Sequence, residues 1–498
     1  MEGQSVVPGW RPRRAVRLGV SALVAASLVV WAMAATAVAA GGKPTGLVTS
    51  PLSNSVLMAR AIRSGAVAPA AAGHSDIAFP RSPTVTVLPN VKASTGTSPA
   101  NETPIAANPS NGSQLESGAN DYNCSSLQGF YNSDDGGSTW RQHCMPVTGA
   151  GGCGDPNVAY DLNGTAYILG IGNCNGFTGN IVYQKSTNNG VSWSAAQTAF
   201  GSLLGGITDK EWTEVDNNPG SPFANCLYTS WTDFNGSFTQ SRASVAHSCD
   251  GGATWTRVAV DSTRTVPQVD QFTDLAIGSD GTVYVTWLFC KTSGPAGDCG
   301  NTSTDLKFSK STDGGNTWTS PTVMASPQTA PDTCGGYYGC IPGTSERLSN
   351  IPVIDINKVD GSLHVAFYTY TGGQTRGREI HSTNGGTTWS SPVEFIGLSA
   401  NVAFPWLAVS PSGTIGIGFF VSRNTSYAEA AAFSTDGGVT WPTTAKLSSV
   451  LAKFTNDGFS GTFIGDYTGG IWTGGTFHTS WSDARTNPSV DMTGGATP

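Results

Sequence analysis

Short runs in which apolar and polar positions alternate, separated by polar turns, extend along most of the 498-residue chain. Alternation with a period of two places side chains on opposite faces of a β-strand, so these runs predict strands. One eight-residue turn, Ser-x-Asp/Asn-x-Gly-x-x-Trp, recurs between such runs, as in "STDGGNTW". Its six copies span 133–140, 186–193, 248–255, 311–318, 382–389 and 434–441. The fixed spacing marks an architectural repeat.

The residue types of this turn each have a mechanical task. The Asp or Asn side chain accepts backbone N–H bonds inside the turn, and the Gly adopts a positive φ that other residues resist. The Trp starts the next strand and buries a large ring. Strand-like stretches such as "LKFSKS" (306–311) and "WTRVAV" (255–260) flank the turns. Each turn is therefore predicted to join the two strands of a hairpin.

A second, looser unit reads as strand, polar turn, strand. Its seven copies begin near residues 102, 155, 211, 271, 350, 404 and 465. Paired with the Trp turns, which recur every 52 to 71 residues, these units predict four-stranded antiparallel sheets. The last unit lacks a Trp turn, and "SVDM" (489–492) and "TVTVLPNV" (84–91) supply its missing strands. The sequence predicts an all-β, seven-bladed β-propeller closed by N- and C-terminal strands, with six blades as the alternative.

The repeated turn resembles the Asp-box, or BNR repeat, of the sialidase superfamily, and the resemblance covers roughly residues 84–493. It implies a propeller whose first strands line a central channel and whose Asp-boxes lie on the face opposite the ligand site. The repeat occurs in sialidases, in other glycoside hydrolases and in propellers without known catalysis. The resemblance therefore specifies the fold more closely than the reaction.

The composition and the N-terminus indicate an exported protein. Only 12% of the residues are charged and the formal net charge is −8, which argues against nucleic acid as a partner. Residues 1–40 combine basic residues, an apolar stretch and small residues, and they predict a signal peptide or an uncleaved anchor. Residues 41–83 read as a flexible linker and residues 84–498 as one propeller domain. We expect a secreted or cell-surface monomer whose only membrane contact is that anchor.

Ten cysteines in an exported chain predict disulfide bonds, with free buried thiols as the alternative. The blade arrangement brings cysteines of neighbouring strands to the same sheet edge. It pairs Cys124 with Cys144, Cys153 with Cys174, Cys226 with Cys249, and Cys290 with Cys299, and it closes a loop with Cys334 and Cys340.

Candidate site residues lie where the first strands begin and where second strands connect to third strands. The resemblance to sialidases implies a Tyr nucleophile assisted by a carboxylate, with a second carboxylate as acid/base; the matching candidates are Tyr467, Glu102 and Asp155. A rim of guanidinium and carboxylate groups suits an acidic or hydroxyl-rich sugar. The candidate ligand-binding residues are Glu211, Asp270, Asp466, Arg242, Arg347, Arg376, Arg378, Arg423 and Arg485.

The family's Phe/Tyr-Arg-Ile-Pro motif is absent, since "NETPIA" (101–106) has Glu-Thr where the Arg should stand. The first hypothesis is therefore a propeller that binds glycans or other extracellular ligands, and the alternative is a retaining, sialidase-like exo-glycosidase. A purely structural propeller is a third class. Arg423 and Arg485 have an alternative role in bracing loops. No metal site or cofactor is predicted, and a structural calcium ion is kept as an alternative.

Overall fold

The computed structural model describes residues 84–498 except 176, 292–298, 301 and 336, together with residues 77, 79 and 82. The predicted signal segment (1–40) and nearly all of the predicted linker (41–83) lie outside the described residues. Within the described part of the chain, no helix is long and apolar enough to cross a membrane.

Seven four-stranded antiparallel sheets form a ring of blades, which confirms the seven-bladed all-β propeller. The inner strands are Ala100–Asn101 with Ile105–Ala107, Gly154–Tyr160, Gly205–Val215, Val269–Ile277, Val353–Ile356, Asn401–Val409 and Gly469–Thr473. The second strands are Leu115–Asp121, Ala166–Gly172, Leu227–Asn235, Val283–Cys290, Leu363–Thr371, Ile415–Arg423 and Thr476–Asp483. The six-bladed alternative is wrong because each of the seven looser units builds its own sheet.

The outer half of each blade contains the repeated turn in blades 1 to 6. The third strands are Gln128–Ser133, Asn180–Ser186, Gln240–Ser248, Asp305–Ser311, Gln374–Ser382, Ser426–Ser434 and Val490–Thr497. The outer strands are Arg141–Cys144, Gln197–Gly201, Thr256–Ala259 with Arg264–Thr265, Thr322–Ala325, Val393–Glu394, Thr443–Lys446 with Ala452–Lys453, and Thr86–Val87 with Val91–Lys92. The one 3₁₀-helix of the described residues is Phe454–Asn456.

The two chain ends meet in blade 7, as the sequence predicts. Thr86–Val87 and Val91–Lys92 both pair antiparallel with the C-terminal strand Val490–Thr497. Val85 is buried in a cluster with Trp472 and Phe477. N-terminal residues therefore supply the outer strand that closes the ring.

Side-chain hydrogen bonds hold each Asp-box in shape, as the copy at 311–318 illustrates. Ser311 Oγ accepts the Gly315 N–H at 2.9 Å, and Asp313 Oδ1 accepts the Thr317 N–H at 2.9 Å. The Trp318 indole N–H donates to the Gly315 carbonyl at 3.2 Å, and Gly315 has a φ of 87°. These bonds explain why Ser, Asp, Gly and Trp recur together.

Replacing Asp313 by alanine should destabilise the fold by about 1 kcal/mol at pH 7, because the Thr317 N–H and hydroxyl lose their acceptor. These hydrogen bonds lower the pKa of Asp313 to about 2. The stabilisation is complete above the ordinary Asp pKa and disappears as the pH falls towards 2. Urea denaturation of Asp313→Ala and of a control in the same turn, Thr312→Ala, measures the effect. Equal stabilities of the two variants would contradict it.

Five disulfides join the predicted pairs: Cys124–Cys144, Cys153–Cys174, Cys226–Cys249, Cys290–Cys299 and Cys334–Cys340. Free cysteines are absent from the described residues. Disulfides on this scale are typical of proteins that fold in oxidising compartments.

Candidate functional site

The inner strands of blades 1 to 4 and of blade 6 share a local distortion that aims side chains into the channel. Asp155, Lys210, Phe272 and Phe404 have φ values of 53°, 48°, 60° and 50°, and each lies where the pairing of inner and second strands shifts register. Glu102, with a φ of 59°, has the corresponding place in blade 1. Left-handed conformations are strained for residues other than glycine, and bulges with such residues re-aim side chains. The repeated bulge therefore builds the channel lining.

Glu102 and Asp155, two of the predicted catalytic residues, lie together in this lining. Asn120 bridges them, because its amide donates to Glu102 Oε2 at 2.6 Å while its oxygen accepts the Asp155 N–H at 2.8 Å. Glu102 Oε1 accepts the backbone N–H of Asp466 at 3.0 Å, which joins blade 7 to blade 1. Burial, and then the charges of Asp155 and Asp466, raise the pKa of Glu102 well above its usual value. Burial and the neighbouring negative charges thus favour the neutral form of Glu102 more than water would.

Lys210 places an ammonium group at the centre of an aromatic cage. Its Nζ lies 4.4 Å from the ring centre of Trp212, 4.6 Å from that of Tyr467 and 5.3 Å from that of Trp406. These rings come from blades 3, 7 and 6. Burial lowers the pKa of Lys210, while the charges of Asp274 and three other carboxylates oppose that shift. The cage holds the cation by cation–π contacts, which are strong in a desolvated place.

Tyr467, the predicted nucleophile, is part of this cage and is 2% exposed. Its hydroxyl donates to the Pro156 carbonyl at 3.0 Å. Burial and the charges of Glu102 and other carboxylates raise the pKa of Tyr467 well above 10. A tyrosine nucleophile needs the opposite shift, because the phenolate is its reactive form.

The described residues of the long connection between blades 4 and 5, 326–335 and 337–352, cross the channel mouth. Its Tyr338 packs 4.7 Å from the Phe272 ring of blade 4, and its Arg347 pairs with Asp466 next to blade 7 at 3.0 Å. Arg347 also lies 5.0 Å from the Tyr338 ring centre and is 2% exposed. Blades 4 and 7 are three apart in the ring, so this segment covers the lining. The cleft beside Tyr467 and Trp406 is too narrow to admit a water molecule, so it is far smaller than an ordinary small-molecule pocket.

Two predicted acidic residues have different surroundings. Glu211 is fully buried, and burial followed by the Asp155 charge raises its pKa well above the usual value. Asp270 contacts Arg264 at 3.4 Å and accepts the Trp287 indole N–H at 3.2 Å. Burial raises the pKa of Asp270 to about 7. Glu211 therefore lies near Asp155, whereas Asp270 belongs to a separate network with Arg264 and Trp287.

Four of the five remaining predicted Arg residues stand on the rim, near the ends of second and third strands or just beyond them, and Arg378 lies at the middle of the third strand Gln374–Ser382. Arg242 pairs with Asp233 at 3.3 Å, and Arg485 pairs with Asp483 at 2.7 Å. Arg376 and Arg378 lie 3.7 Å and 3.0 Å from carboxylate oxygens of Glu394. Arg423 donates to the Ser399 carbonyl at 2.8 Å. Of the six predicted Arg residues, only Arg347 reaches the channel.

Lys210, Trp212, Trp406 and Tyr338 were not predicted from the sequence, although they fill the channel. Lys210 sits directly before Glu211, within the looser repeat unit. An alignment of the first-strand entrances of all blades would have placed it with Glu102 and Asp155, because the three share the bulge position. Tyr338 lies in a connection without a repeat, so the sequence pattern held no signal for it.

The comparisons with known proteins agree with this architecture. A family model described as a BNR repeat-like domain matches residues 286–452. No curated protein sequence matches the chain. An ulvan lyase from a new polysaccharide lyase family superposes with a TM-score of 0.51 at 11% identity, over 81% of this chain and 95% of that one.

Two bacterial structures are similar at lower scores. The intramolecular trans-sialidase of Ruminococcus gnavus has a TM-score of 0.45 and 14% identity over 70% of this chain and 97% of that chain. A Dyadobacter fermentans protein of unknown function has a TM-score of 0.46 and 12% identity over 83% and 99%. The ulvan lyase, at its low identity, bears on the fold alone. Residues 286–452 thus match a BNR repeat-like domain, and the described residues fold as a seven-bladed β-propeller.

Proposed function

We propose that this protein binds an anionic glycan on the rim of the channel face and does not hydrolyse it. The observation that carries the proposal is the distribution of the guanidinium groups. They stand around the rim, partly exposed, instead of converging on Tyr467. A sialidase-like reaction needs several of them around one carboxylated sugar next to the nucleophile.

The strongest candidate surface is a basic rim patch formed by Arg376, Arg378 and Arg423. Arg376 donates to the Leu398 carbonyl and Arg423 to the next carbonyl, that of Ser399, so both guanidinium groups border one short segment. The side chains of Arg376 and Arg378 are 25% and 20% exposed and share Glu394 as their ion-pair partner. Three cations beside one carboxylate, on a chain of net charge −8, would attract a sugar carboxylate or sulfate.

The closed channel supports a rim site over a channel site. Tyr338 and Arg347 cover the lining, and the rings of Trp212, Trp406 and Tyr467 fill its centre. A sugar that reached Tyr467 would have to displace packed side chains. The raised pKa of Tyr467 further disfavours the exo-glycosidase alternative.

The five disulfides are consistent with an extracellular place of action. Secretion by the N-terminal segment is part of the proposal, since that segment lies outside the described residues. Glycans with carboxylate or sulfate groups are accessible ligands there.

A glycan array with neutral, uronate, sulfated and sialylated sugars tests the proposal. We expect binding to anionic glycans, weakened at least about tenfold in Arg378→Gln and in Arg423→Gln, because each loses a charge-assisted contact. Arg141→Gln is the matched control: Arg141 pairs with Asp134 in an Asp-box on the opposite face, so its loss should leave binding unchanged. Absence of anionic-glycan binding would overturn the proposal.

Fluorogenic glycosides, including the sialoside, separate binding from hydrolysis. We expect no release of the fluorophore. Release that is abolished in Tyr467→Phe would establish the exo-glycosidase alternative instead.

A further inference from the structure

Blade 5 differs from blades 2 and 4 at three positions that face its neighbour, blade 6. Blades 2 and 4 have Tyr167 and Tyr284 on the second strand, opposite Lys185 and Lys310 on the third. Blade 5 has His364 opposite His381 at the same positions. Two imidazole groups therefore replace the Tyr and Lys pair.

The third position holds a buried carboxylate where blades 2 and 4 hold an aromatic ring. Three residues before the Asp-box Ser, blades 2 and 4 have Tyr183 and Phe308, which contact a Gly in the Asp-box of the next blade. Blade 5 has Glu379 there, and a Cβ on Gly438 of blade 6 would lie 2.7 Å from Glu379 Oε2. Glu379 is fully buried, so this exchange costs free energy unless the carboxylate gains strong partners.

The three side chains converge at distances suited to a metal ion. Glu379 Oε1 lies 2.8 Å from His364 Nδ1, and Glu379 Oε2 lies 3.5 Å from His381 Nδ1. The two atoms of the second pair make no hydrogen bond. Ligand atoms around a tetrahedral Zn²⁺ are about 3.3 Å apart at bond lengths near 2.0–2.1 Å. The potential ligand atoms of all three residues lie within 4.8 Å of one another.

A hydrogen-bonded relay behind His364 orients its ring for coordination. Ser362 Oγ donates to Asp360 Oδ1 at 2.6 Å, so it accepts from His364 Nε2 at 2.9 Å. With the proton on Nε2, the lone pair of Nδ1 faces Glu379. Metal-bound histidines characteristically donate their second ring N–H in this way.

We propose that His364, Glu379 and His381 form a binding site for a divalent transition metal, with Zn²⁺ as the probe, between blades 5 and 6. Two imidazole nitrogens and one carboxylate suit Zn²⁺ and related ions, and they leave a fourth position for water. The side chain of His381 is 21% exposed, which gives the ion a path from solvent. The site lies at the Asp-box end of the blade and is independent of the proposed glycan rim.

Calorimetric titration of Zn²⁺ into the chelator-treated full chain, purified without a histidine tag, tests the site. We expect one ion per chain, and X-ray absorption at the zinc edge should show two imidazole ligands. Glu379→Phe and His381→Lys install the residues of blade 4 and should fold normally. Each should weaken Zn²⁺ binding at least about tenfold.

The matched control is His247→Lys. His247 occupies in blade 3 the position of His381, but it pairs with Tyr228 and has Val245 in place of a carboxylate. Its replacement should leave Zn²⁺ binding unchanged. Wild-type protein that binds no Zn²⁺, or binds it as weakly as His381→Lys does, would overturn the proposal and identify the cluster as a buried imidazolium–carboxylate pair.

Discussion

Replacing Lys210 by methionine should destabilise the folded protein by about 3–5 kcal/mol at pH 8. Methionine keeps the approximate volume of the side chain, so packing against Trp212, Trp406 and Tyr467 is largely retained. The change removes the cation whose field acts on Asp274, Asp155, Glu211 and Glu102. The folded protein loses stability because its buried carboxylates then have no counter-charge.

The pH dependence of this loss distinguishes electrostatics from packing. Burial raises the pKa of Asp274 to about 7 even with Lys210 present, and Lys210 opposes the rise. Without the cation that pKa rises further. A raised carboxyl pKa means that the folded state binds the proton more tightly, so stability falls as the pH rises from the ordinary Asp pKa through the folded-state pKa. The defect of Lys210→Met should therefore be smaller at pH 5 than at pH 8.

Urea denaturation of Lys210→Met and wild type at the two pH values measures the effect. Lys185→Met is the matched control, because Lys185 is partly exposed and donates to the Gly251 carbonyl away from the channel. Lys185→Met should lower the free energy of unfolding only slightly, and by a similar amount at both pH values. An equal defect of Lys210→Met at pH 5 and pH 8 would show that packing alone explains it.

The repeat made most of the fold predictable from the sequence. Strand alternation recurs in all seven blades and the Asp-box in six of them, so an error in reading one blade is corrected by the others. The ring-closing strand followed from counting, since the last unit lacked its outer strands. The disulfides followed from the blades, because Cys153 lies just before and Cys174 just after two neighbouring strands of one sheet.

The channel was less predictable because it depends on contacts between different blades. Trp212 and Trp406 belong to blades 3 and 6, yet their ring centres are 4.3 Å apart. No local pattern encodes that meeting. The position of Arg347 depends on the path of residues 326–352, which have no repeat. Glu379 was not predicted for a different reason: its unusual residue type is recognised only when the blades are aligned residue by residue.

Deleting residues 1–92 should destabilise the propeller by at least about 3–5 kcal/mol relative to a chain that begins at residue 76, which keeps the closing strand. The deletion removes the buried Val85 and the partly buried Val87 from the cluster around Trp472 and Phe477. It also removes the bond from Leu88 N to the Gly495 carbonyl at 2.9 Å and the pairing of Val91–Lys92 with the C-terminal strand. The C-terminal strand then becomes an unpaired edge, which promotes association between chains.

Thermal unfolding by circular dichroism and size-exclusion chromatography compare the two truncated chains. The shorter one should unfold at a clearly lower temperature and elute partly as oligomers, since an open edge pairs with other strands. A synthetic peptide of residues 76–93 should restore the monomer and raise the unfolding temperature, because the vacant edge accepts an added strand. A scrambled peptide of the same composition lacks the alternation that places Val85 and Val87 on the buried face and should have no effect. Equal unfolding temperatures without peptide would mean that blade 7 is stable with three strands and that closure of the ring does not depend on the N-terminal segment.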